Sequence, residues 1–139
     1  MLDVQQLSDR IEIADLLTAY TRAVDGGDWD RLDAVFTPDA QLDYTSAGGI
    51  QGAFPEVKAW LVEMLPRFAR RQHVIGQSEV VLDGDSATVT AYFTNPMISV
   101  GDDGAERLFA CGGYYHHRLV RTPEGWRSRR LTLELVWRR

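Results

Sequence analysis

The spacing of apolar residues changes once along this chain, near Arg71, and this change constrains the fold more than any other feature. Before Arg71, apolar side chains recur at the spacing of amphipathic helices, about 3.6 residues. After it they alternate, in segments rich in Val, Thr, Tyr, Phe and Leu, as strands do. Helices followed by consecutive strands predict an α+β fold in which helices cover one face of a sheet.

Three helices are predicted in the first half of the chain. Their limits are marked by two glycines after Asp25, by the N-cap candidate Asp28, and by Pro55 in a first turn. We expect a first helix from Asp3 or Val4 to about Asp25, a second at 28–36 and a third at 55–68. Between the last two we expect a turn at 37–39, a short strand at 40–44 and a glycine-rich loop at 45–53.

Four longer strands are predicted in the second half, separated by tight turns that contain Gly with Asp or Pro. They are expected at 72–82, 86–99, 105–121 and 125–137. The strands should form one curved sheet, mixed or antiparallel, with the three helices on its concave side, so that a pocket lies between the two layers. Residues 1–139 are expected to form a single domain, since a chain of this length buries roughly two-thirds of its unfolded surface around one core.

Charge and hydropathy argue against several kinds of partner. The net charge of -5 argues against nucleic acid, since phosphate binding needs a concentrated basic surface. No apolar run approaches the ~20 residues of a membrane span, and the polar N-terminal segment does not resemble a secretory signal. Cys111 is the only cysteine, so an internal disulfide is excluded. We expect a cytoplasmic protein with no nucleic-acid or membrane partner.

Motifs for metal and cofactor chemistry are absent from the sequence. There is no G-x-S-x-G, no phosphate-binding glycine loop and no C-x-x-C. The adjacent residues His116 and His117 point to opposite faces of a strand, so they cannot bind one metal ion side by side. We therefore predict no metal site and chemistry that needs no cofactor.

Asp25 and His73 are the candidate catalytic pair, one at the end of the first helix and the other at the start of the strand-rich half. A carboxylate that holds an imidazole is a common way to make a general base near neutral pH. Each residue also has a structural use: Asp25 suits a helix end beside glycine, and His73 suits a half-buried strand. Position alone leaves both interpretations open.

Five segments of the chain resemble the nuclear transport factor 2-like superfamily, in its SnoaL-like branch. The similarity is carried by residues 11–20, 24–30, 36–40, 71–73 and 125–127. It covers almost the whole chain and implies a cone-shaped α+β barrel. It is less specific for the reaction, because this scaffold hosts enzymes and non-enzymes alike.

Three enzymes of this superfamily are similar to the chain at the candidate pair: scytalone dehydratase, bile-acid 7α-dehydratase and hexachlorocyclohexane dehydrochlorinase. Their Asp and His fall on Asp25 and His73, which implies a dyad in which Asp25 orients the imidazole that removes a substrate proton. Tyr20 matches a tyrosine of the bile-acid enzyme, which implies a phenol that donates to a substrate oxygen. The dehydrochlorinase has lysine there, so loss of water or movement of a double bond is favoured over loss of halide.

These enzymes also use a polar residue from the last strands, for which His116, Arg129 and Arg130 are candidates. Arg129 shares its strand parity with the apolar residues Leu131 and Leu133. If that parity faces the pocket, Arg129 does too, where it would stabilise an enolate or a departing oxyanion. Arg129 is therefore the fourth predicted catalytic residue.

Further residues are expected to line an apolar pocket suited to a small cyclic substrate that is polyketide-like, aromatic or steroid-like. The predicted substrate-binding residues are Tyr44, Trp60, Tyr92, Tyr114 and His116. Large residues on both faces of the last two strands predict a homo-oligomer, a dimer or trimer that associates through the sheet.

The predicted function is that of a cofactor-independent lyase or isomerase that removes a carbon-bound proton, with dehydration favoured. Two alternatives belong to other classes. One is a small-molecule-binding or dimerisation module without chemistry. The other, which also rests on the resemblance, is the small subunit of a ring-hydroxylating dioxygenase.

Overall fold

The computed structural model describes all 139 residues, in two α-helices, three short 3-10 helices and seven strands. Helix α1 spans Val4–Gly26 and α2 spans Phe54–Met64, and the 3-10 helices are Trp29–Ala34, Thr45–Ala47 and Leu65–Arg67. The strands are β1 Phe36–Asp43, β2 Gln51–Ala53, β3 Arg70–Arg71, β4 Val74–Asp83, β5 Ser86–Val100, β6 Glu106–Thr122 and β7 Gly125–Arg138. Neither α-helix has the length and apolar character needed to cross a bilayer.

All seven strands belong to one mixed sheet. Its order is β2-β1-β7-β6-β5-β3, and β4 also pairs with β5 beyond the end of β3. Only the contact of β1 with β7 is parallel. The helices and one face of the sheet share the buried core. The predicted α+β fold, with a mixed sheet covered by N-terminal helices, is confirmed.

The segment after the second helix differs from the prediction. Residues 37–39 were expected to be a turn, but they lie inside β1, which already begins at Phe36. Pro38 is tolerated there because the pairing of β1 with β7 is irregular between Phe36 and Gln41, so its missing N–H leaves no regular ladder bond unmade. Burial of Phe36, Ala40 and Leu42 in the core outweighs the local turn preference. The second helix is a 3-10 helix, and the glycine-rich loop contributes the short strand β2.

A partly buried ion pair fixes the first half of α1 to the sheet. Asp9 is 3% exposed and accepts two hydrogen bonds from Arg121, at 2.7 and 2.9 Å, and one from the indole of Trp126 at 3.1 Å. The hydrogen bonds from Arg121 hold the pKa of the Asp9 carboxyl well below its usual range. This attachment holds the first half of α1 against β6 and β7.

Arg71 fixes the other end of α1. Its Nε donates to the carbonyl of Val24 at 2.7 Å, its Nη1 donates to the carbonyl of Phe68 at 3.3 Å, and its guanidinium lies 5.6 Å from the Trp29 ring. A cation at this position satisfies a carbonyl that the helix leaves unpaired and complements the negative end of the helix dipole. Arg71 thereby brings the chain that leads to His73 against the last turn of α1.

Candidate active site

The carboxylate of Asp25 and the imidazole of His73 are in direct contact. His73 Nδ1 lies 2.6 Å from Asp25 Oδ1, and the backbone N–H of His73 donates to both carboxylate oxygens, at 3.1 and 2.9 Å. Because a carboxylate only accepts, Nδ1 carries the proton of the neutral ring, and Nε2 keeps its lone pair. Nε2 has no hydrogen-bond partner in the protein, and His73 lines an internal cavity. The pair is therefore arranged as a base that faces a pocket.

This cavity, of about 310 Å³, lies between the helices and the inner face of the sheet. Fourteen of its eighteen lining residues are hydrophobic, and none is Asp, Glu, Lys or Arg. Gly49 lies in the wall and packs against Trp60 so closely that a Cβ at this position would come within 2.6 Å of the ring. The cavity suits an uncharged, mostly apolar molecule.

Three tyrosine hydroxyl groups lie near the dyad in this cavity. The hydroxyl oxygens of Tyr20 and Tyr44 are 2.6 Å apart, and the Tyr20 ring packs edge-to-face against Tyr115 with centroids 5.5 Å apart. Burial raises the pKa of Tyr20 to about 12, and burial next to Tyr20 raises the pKa of Tyr44 and Tyr115 well above the usual range. All three phenols therefore remain protonated near neutral pH and can donate hydrogen bonds.

Of the nine predicted site residues, four line this cavity: Tyr20, Tyr44, Trp60 and His73. A fifth, Asp25, contacts one of them, His73. The rings of Tyr44 and Trp60 are in contact, with centroids 5.8 Å apart. Tyr20 packs edge-to-face against His73, with centroids 6.4 Å apart. These residues are far apart in sequence, in α1, at the end of β1, in α2 and just before β4, and the fold brings them together around the cavity.

The prediction that Arg129 enters the pocket is wrong. Its side chain is 64% exposed and lies 3.9 Å from Asp39, outside the cavity. Along β7, Arg130 is opposite Arg118 and Ser128 is opposite Leu119, so Arg129 is the extra residue of a β-bulge. The bulge shifts the alternation by one residue, and the parity shared with Leu131 does not carry through it.

Tyr92, Tyr114 and His116 are also misplaced by the prediction, since they lie on the outer face of the sheet. Tyr92 and Tyr114 pack together with ring centroids 4.8 Å apart, in a groove that includes Trp137. His116 Nε2 lies 2.7 Å from Glu134 Oε2. In β6 the inward positions belong to their neighbours, because successive side chains of a strand alternate between faces.

His117 faces inward but does not reach the cavity. It is buried, with Nδ1 2.8 Å from Ser128 Oγ and with Nε2 unpartnered. Burial, followed by the nearby His116, lowers the pKa of His117 to about 3. This histidine is therefore neutral at physiological pH and belongs to the core.

Asn95, Tyr115 and Cys111 line the cavity but were not among the predicted site residues. Asn95 follows a threonine and precedes a proline, a sequence that is typical of turns. The alternation of β5 does contain the signal, since the buried parity of Val89, Ala91 and Phe93 continues to Asn95. Burial raises the pKa of the Cys111 thiol, so it stays protonated.

The curved mixed sheet, covered by N-terminal helices and holding a pocket at the end of the first helix, is the fold of the nuclear transport factor 2-like superfamily. Within it, the chain belongs to the family of SnoaL-like domains, whose model matches residues 5–132. A relative, the uncharacterized protein Rv2910c of Mycobacterium tuberculosis strain H37Rv, is 44% identical over 127 residues. The matched region covers 91% of this chain and 85% of that protein.

Two solved structures from Novosphingobium aromaticivorans share the fold. One, named as a proposed aromatic ring hydroxylase, is 29% identical with a TM-score of 0.82, over 94% of this chain and 91% of that one. The other, named as a proposed scytalone dehydratase, is 16% identical with a TM-score of 0.84, over 96% of this chain and 87% of that one. At 16% identity, the second structure shares the fold with this chain and nothing further follows from it.

Proposed function

We propose that this protein is a cofactor-independent lyase or isomerase that uses the Asp25–His73 pair to remove a carbon-bound proton, with dehydration as the favoured outcome. The observation that carries the proposal is the state of the imidazole. One ring nitrogen is held by a carboxylate at 2.6 Å, and the other has no protein partner and belongs to a residue that lines an apolar cavity. A positioned base of this kind contributes a rate factor of ~10²–10⁴.

The proton is taken from a carbon next to a carbonyl group, and the electron pair of the broken C–H bond moves toward the carbonyl oxygen. His73 becomes an imidazolium, which the negative charge of Asp25 stabilises. In a dehydration the electron pair then returns from the oxygen to form a carbon–carbon double bond, the C–O bond of a hydroxyl on the adjacent carbon breaks, and the imidazolium gives its proton to this hydroxyl, which leaves as water. In an isomerisation the same proton returns to a different carbon. Both reactions balance without an oxidant or reductant.

Tyr20 and Tyr44 stabilise the developing oxyanion in this proposal. The contact between their hydroxyl oxygens needs only one of the two phenolic protons, so the other remains available to a substrate oxygen. The burial that raises the pKa of Tyr20 to about 12 keeps both groups as donors throughout. Neutral phenols thus take the role that the sequence suggested for Arg129, and the charge of the site stays low.

The substrate class follows from the lining. A cavity of about 310 Å³ is at the small end of the range for ligand sites, ~300–1,000 Å³, which favours one or two rings over a larger skeleton. With no charged side chain in its wall, it favours a substrate without a carboxylate or phosphate. We propose a small cyclic or polyketide-like carbonyl compound.

Proton removal can be tested without the natural substrate. In deuterated water, the protein should accelerate deuterium incorporation next to the carbonyl of 2-tetralone above the buffer rate, as followed by NMR. In His73→Ala the rate should return to that of buffer, because no other base faces the cavity, while His116→Ala should retain the wild-type rate. A His73→Ala protein with native circular dichroism and undiminished exchange contradicts the proposal.

A second candidate function is favoured by the relative named as a ring hydroxylase, which is 29% identical. In this second candidate function, the protein is a structural small subunit of a ring-hydroxylating dioxygenase. The other non-catalytic alternative is a binding module without chemistry. Neither role gives a reason for a free imidazole nitrogen beside a pocket. Stoichiometric co-purification with a large iron–sulfur subunit, together with no exchange activity, would favour this candidate.

Self-association through the outer face of the sheet is also proposed, as a dimer or trimer. Tyr92, Val136 and Trp137 lie on this face and are 47%, 61% and 41% exposed, a concentration of apolar surface unusual for a lone sheet face. Size exclusion with light scattering measures the oligomeric state. A monomer at micromolar concentration contradicts this part of the proposal.

A further inference from the structure

Asn95 is a buried polar residue whose side chain makes no hydrogen bond with the protein. It is 6% exposed, it lines the cavity, and its Oδ1 has no partner. A buried carboxamide without a partner destabilises the folded protein, because it has lost its water and gained nothing in exchange. Such a group indicates a partner that is not part of the chain.

The strand register places Asn95 beside the proposed base. On either side of His73, two pairs fix the alignment with β5: Arg71 with Met97 and Val74 with Thr94. His73 therefore lies opposite Asn95, and residues opposite each other on one face of a sheet have Cβ atoms about 5 Å apart. A substrate atom within reach of the imidazole is also within reach of the carboxamide.

We infer that Asn95 shares with the Tyr20 and Tyr44 hydroxyls the binding of the substrate oxygen nearest the reacting carbon, and that in the bound substrate this oxygen belongs to an uncharged hydroxyl or carbonyl group. The role of His73 in this inference rests on the proposed function. A carboxamide offers both a donor and an acceptor, so it pairs with either kind of oxygen. Because the cavity wall has no cationic side chain, an anionic oxygen would lack a counter-charge there.

The first test needs no ligand. If Asn95 pairs only with a bound substrate, Asn95→Leu removes an unpaired polar group from the free protein. The melting temperature should then equal or exceed that of wild type. Ser128→Ala is the contrasting variant, since its buried hydroxyl is bonded to His117, and it should melt at a lower temperature. A fall in Asn95→Leu as large as that in Ser128→Ala would show a structural asparagine and overturn the inference.

The second test compares two probes that differ in one oxygen, 2-tetralone and tetralin, by quenching of tryptophan fluorescence. Of the four tryptophans, Trp60 is the one that lines the cavity, and quenching that is absent in Trp60→Phe reports binding there. In Asn95→Leu the affinity for 2-tetralone should fall roughly three- to tenfold while that for tetralin is unchanged. The matched control is Met97→Leu, on the same strand and in the same cavity, which should alter both affinities by the same factor. An unchanged ratio of affinities in Asn95→Leu overturns the inference.

Neither test measures turnover, so failure of the inference and failure of the proposed function are distinguishable. His73→Ala should lose deuterium exchange and keep the preference for 2-tetralone over tetralin. If wild-type protein shows no exchange but Asn95→Leu loses the preference, the proposed chemistry is wrong and the binding role of Asn95 stands. If exchange depends on His73 but the preference survives in Asn95→Leu, the chemistry stands and the role of Asn95 is wrong.

Discussion

Two histidine–carboxylate pairs lie on opposite faces of the same sheet, and their contacts are nearly equal in length. The nitrogen–oxygen distance is 2.6 Å between His73 and Asp25 and 2.7 Å between His116 and Glu134. The His73 side chain is 5% exposed and that of His116 is 41% exposed. Because the two distances are nearly the same, any difference in reactivity between the two imidazoles has to come from their surroundings.

The second ring nitrogen separates the pairs further. In His116 the other nitrogen lies 3.3 Å from the hydroxyl of Thr90. In His73 the other nitrogen has no protein partner and the residue borders a cavity. The interactions of a buried charge are screened weakly by solvent, whereas those of an exposed charge are screened strongly. A free lone pair beside a buried cavity therefore marks a base better than the length of a hydrogen bond does.

The largest effect is expected when the carboxylate of the inner pair is replaced by an amide, in Asp25→Asn. The amide oxygen will accept from the backbone N–H of His73, which already bonds to both carboxylate oxygens. The amide NH2 then faces Nδ1, which must accept, so the ring proton moves to Nε2 and the lone pair is lost from the cavity side. Deuterium exchange should fall by ~10²–10⁴-fold, as expected for loss of a positioned base.

Nitrogen-15 NMR of the imidazole reports this change of tautomer directly. The wild-type protein should show the Nδ1–H form at His73, and Asp25→Asn should show the Nε2–H form. The control is Glu134→Gln in the outer pair, which should leave the His73 tautomer and the exchange rate as they are. Persistence of the Nδ1–H form together with full exchange activity in Asp25→Asn would refute the assigned role of the carboxylate.

The partial success of the sequence prediction has a physical basis. The helix-to-strand change of period is a local signal repeated over many residues, and the fold follows it closely. The meeting of Asp25 with His73 is a long-range contact, and only resemblance to a family indicated it before the structure placed Arg71 across the helix end. Parity failed for Arg129 because a bulge is a property of two paired strands and leaves no mark in one.

Asn95 shows the opposite limitation. Its inward direction follows from the alternation of β5, yet its lack of a partner depends on every side chain around it, which no strand pattern contains. Tyr92 and Tyr114 were assigned to the pocket because aromatic residues suit either face of a sheet. Hydrophobicity identifies the strand, and only the packed structure decides which face receives the cavity.

A smaller effect, on the pH dependence of the free energy of unfolding, is expected from the titration of His117, a buried histidine that has no carboxylate partner. Burial lowers its pKa to about 3, whereas an unfolded histidine titrates near ~6.5. Between these values the unfolded state binds more protons, so the contribution to stability is complete above about pH 6.5 and is lost as the pH falls toward 3. In wild type this term should lower the free energy of unfolding by up to ~1.4 kcal/mol per pH unit in that window.

Urea denaturation at a series of pH values from about 7 to 4 isolates this term. His117→Gln keeps a polar group near Ser128 and removes the titration, so its stability should decline less steeply than that of wild type. Equal slopes for His117→Gln and wild type would mean that His117 is accessible to protons in the folded state.

The smallest effect is expected in the outer pair itself. Glu134→Gln removes the negative charge opposite His116 but keeps a hydrogen-bonding oxygen, and both side chains are largely hydrated, at 56% and 41% exposed. The free energy of unfolding should change by no more than about 0.5 kcal/mol, and deuterium exchange should be unchanged. Denaturation and exchange measured on this single variant test both statements. A loss of exchange there would mean that the outer face takes part in the reaction, and that burial beside a cavity is not what separates the two pairs.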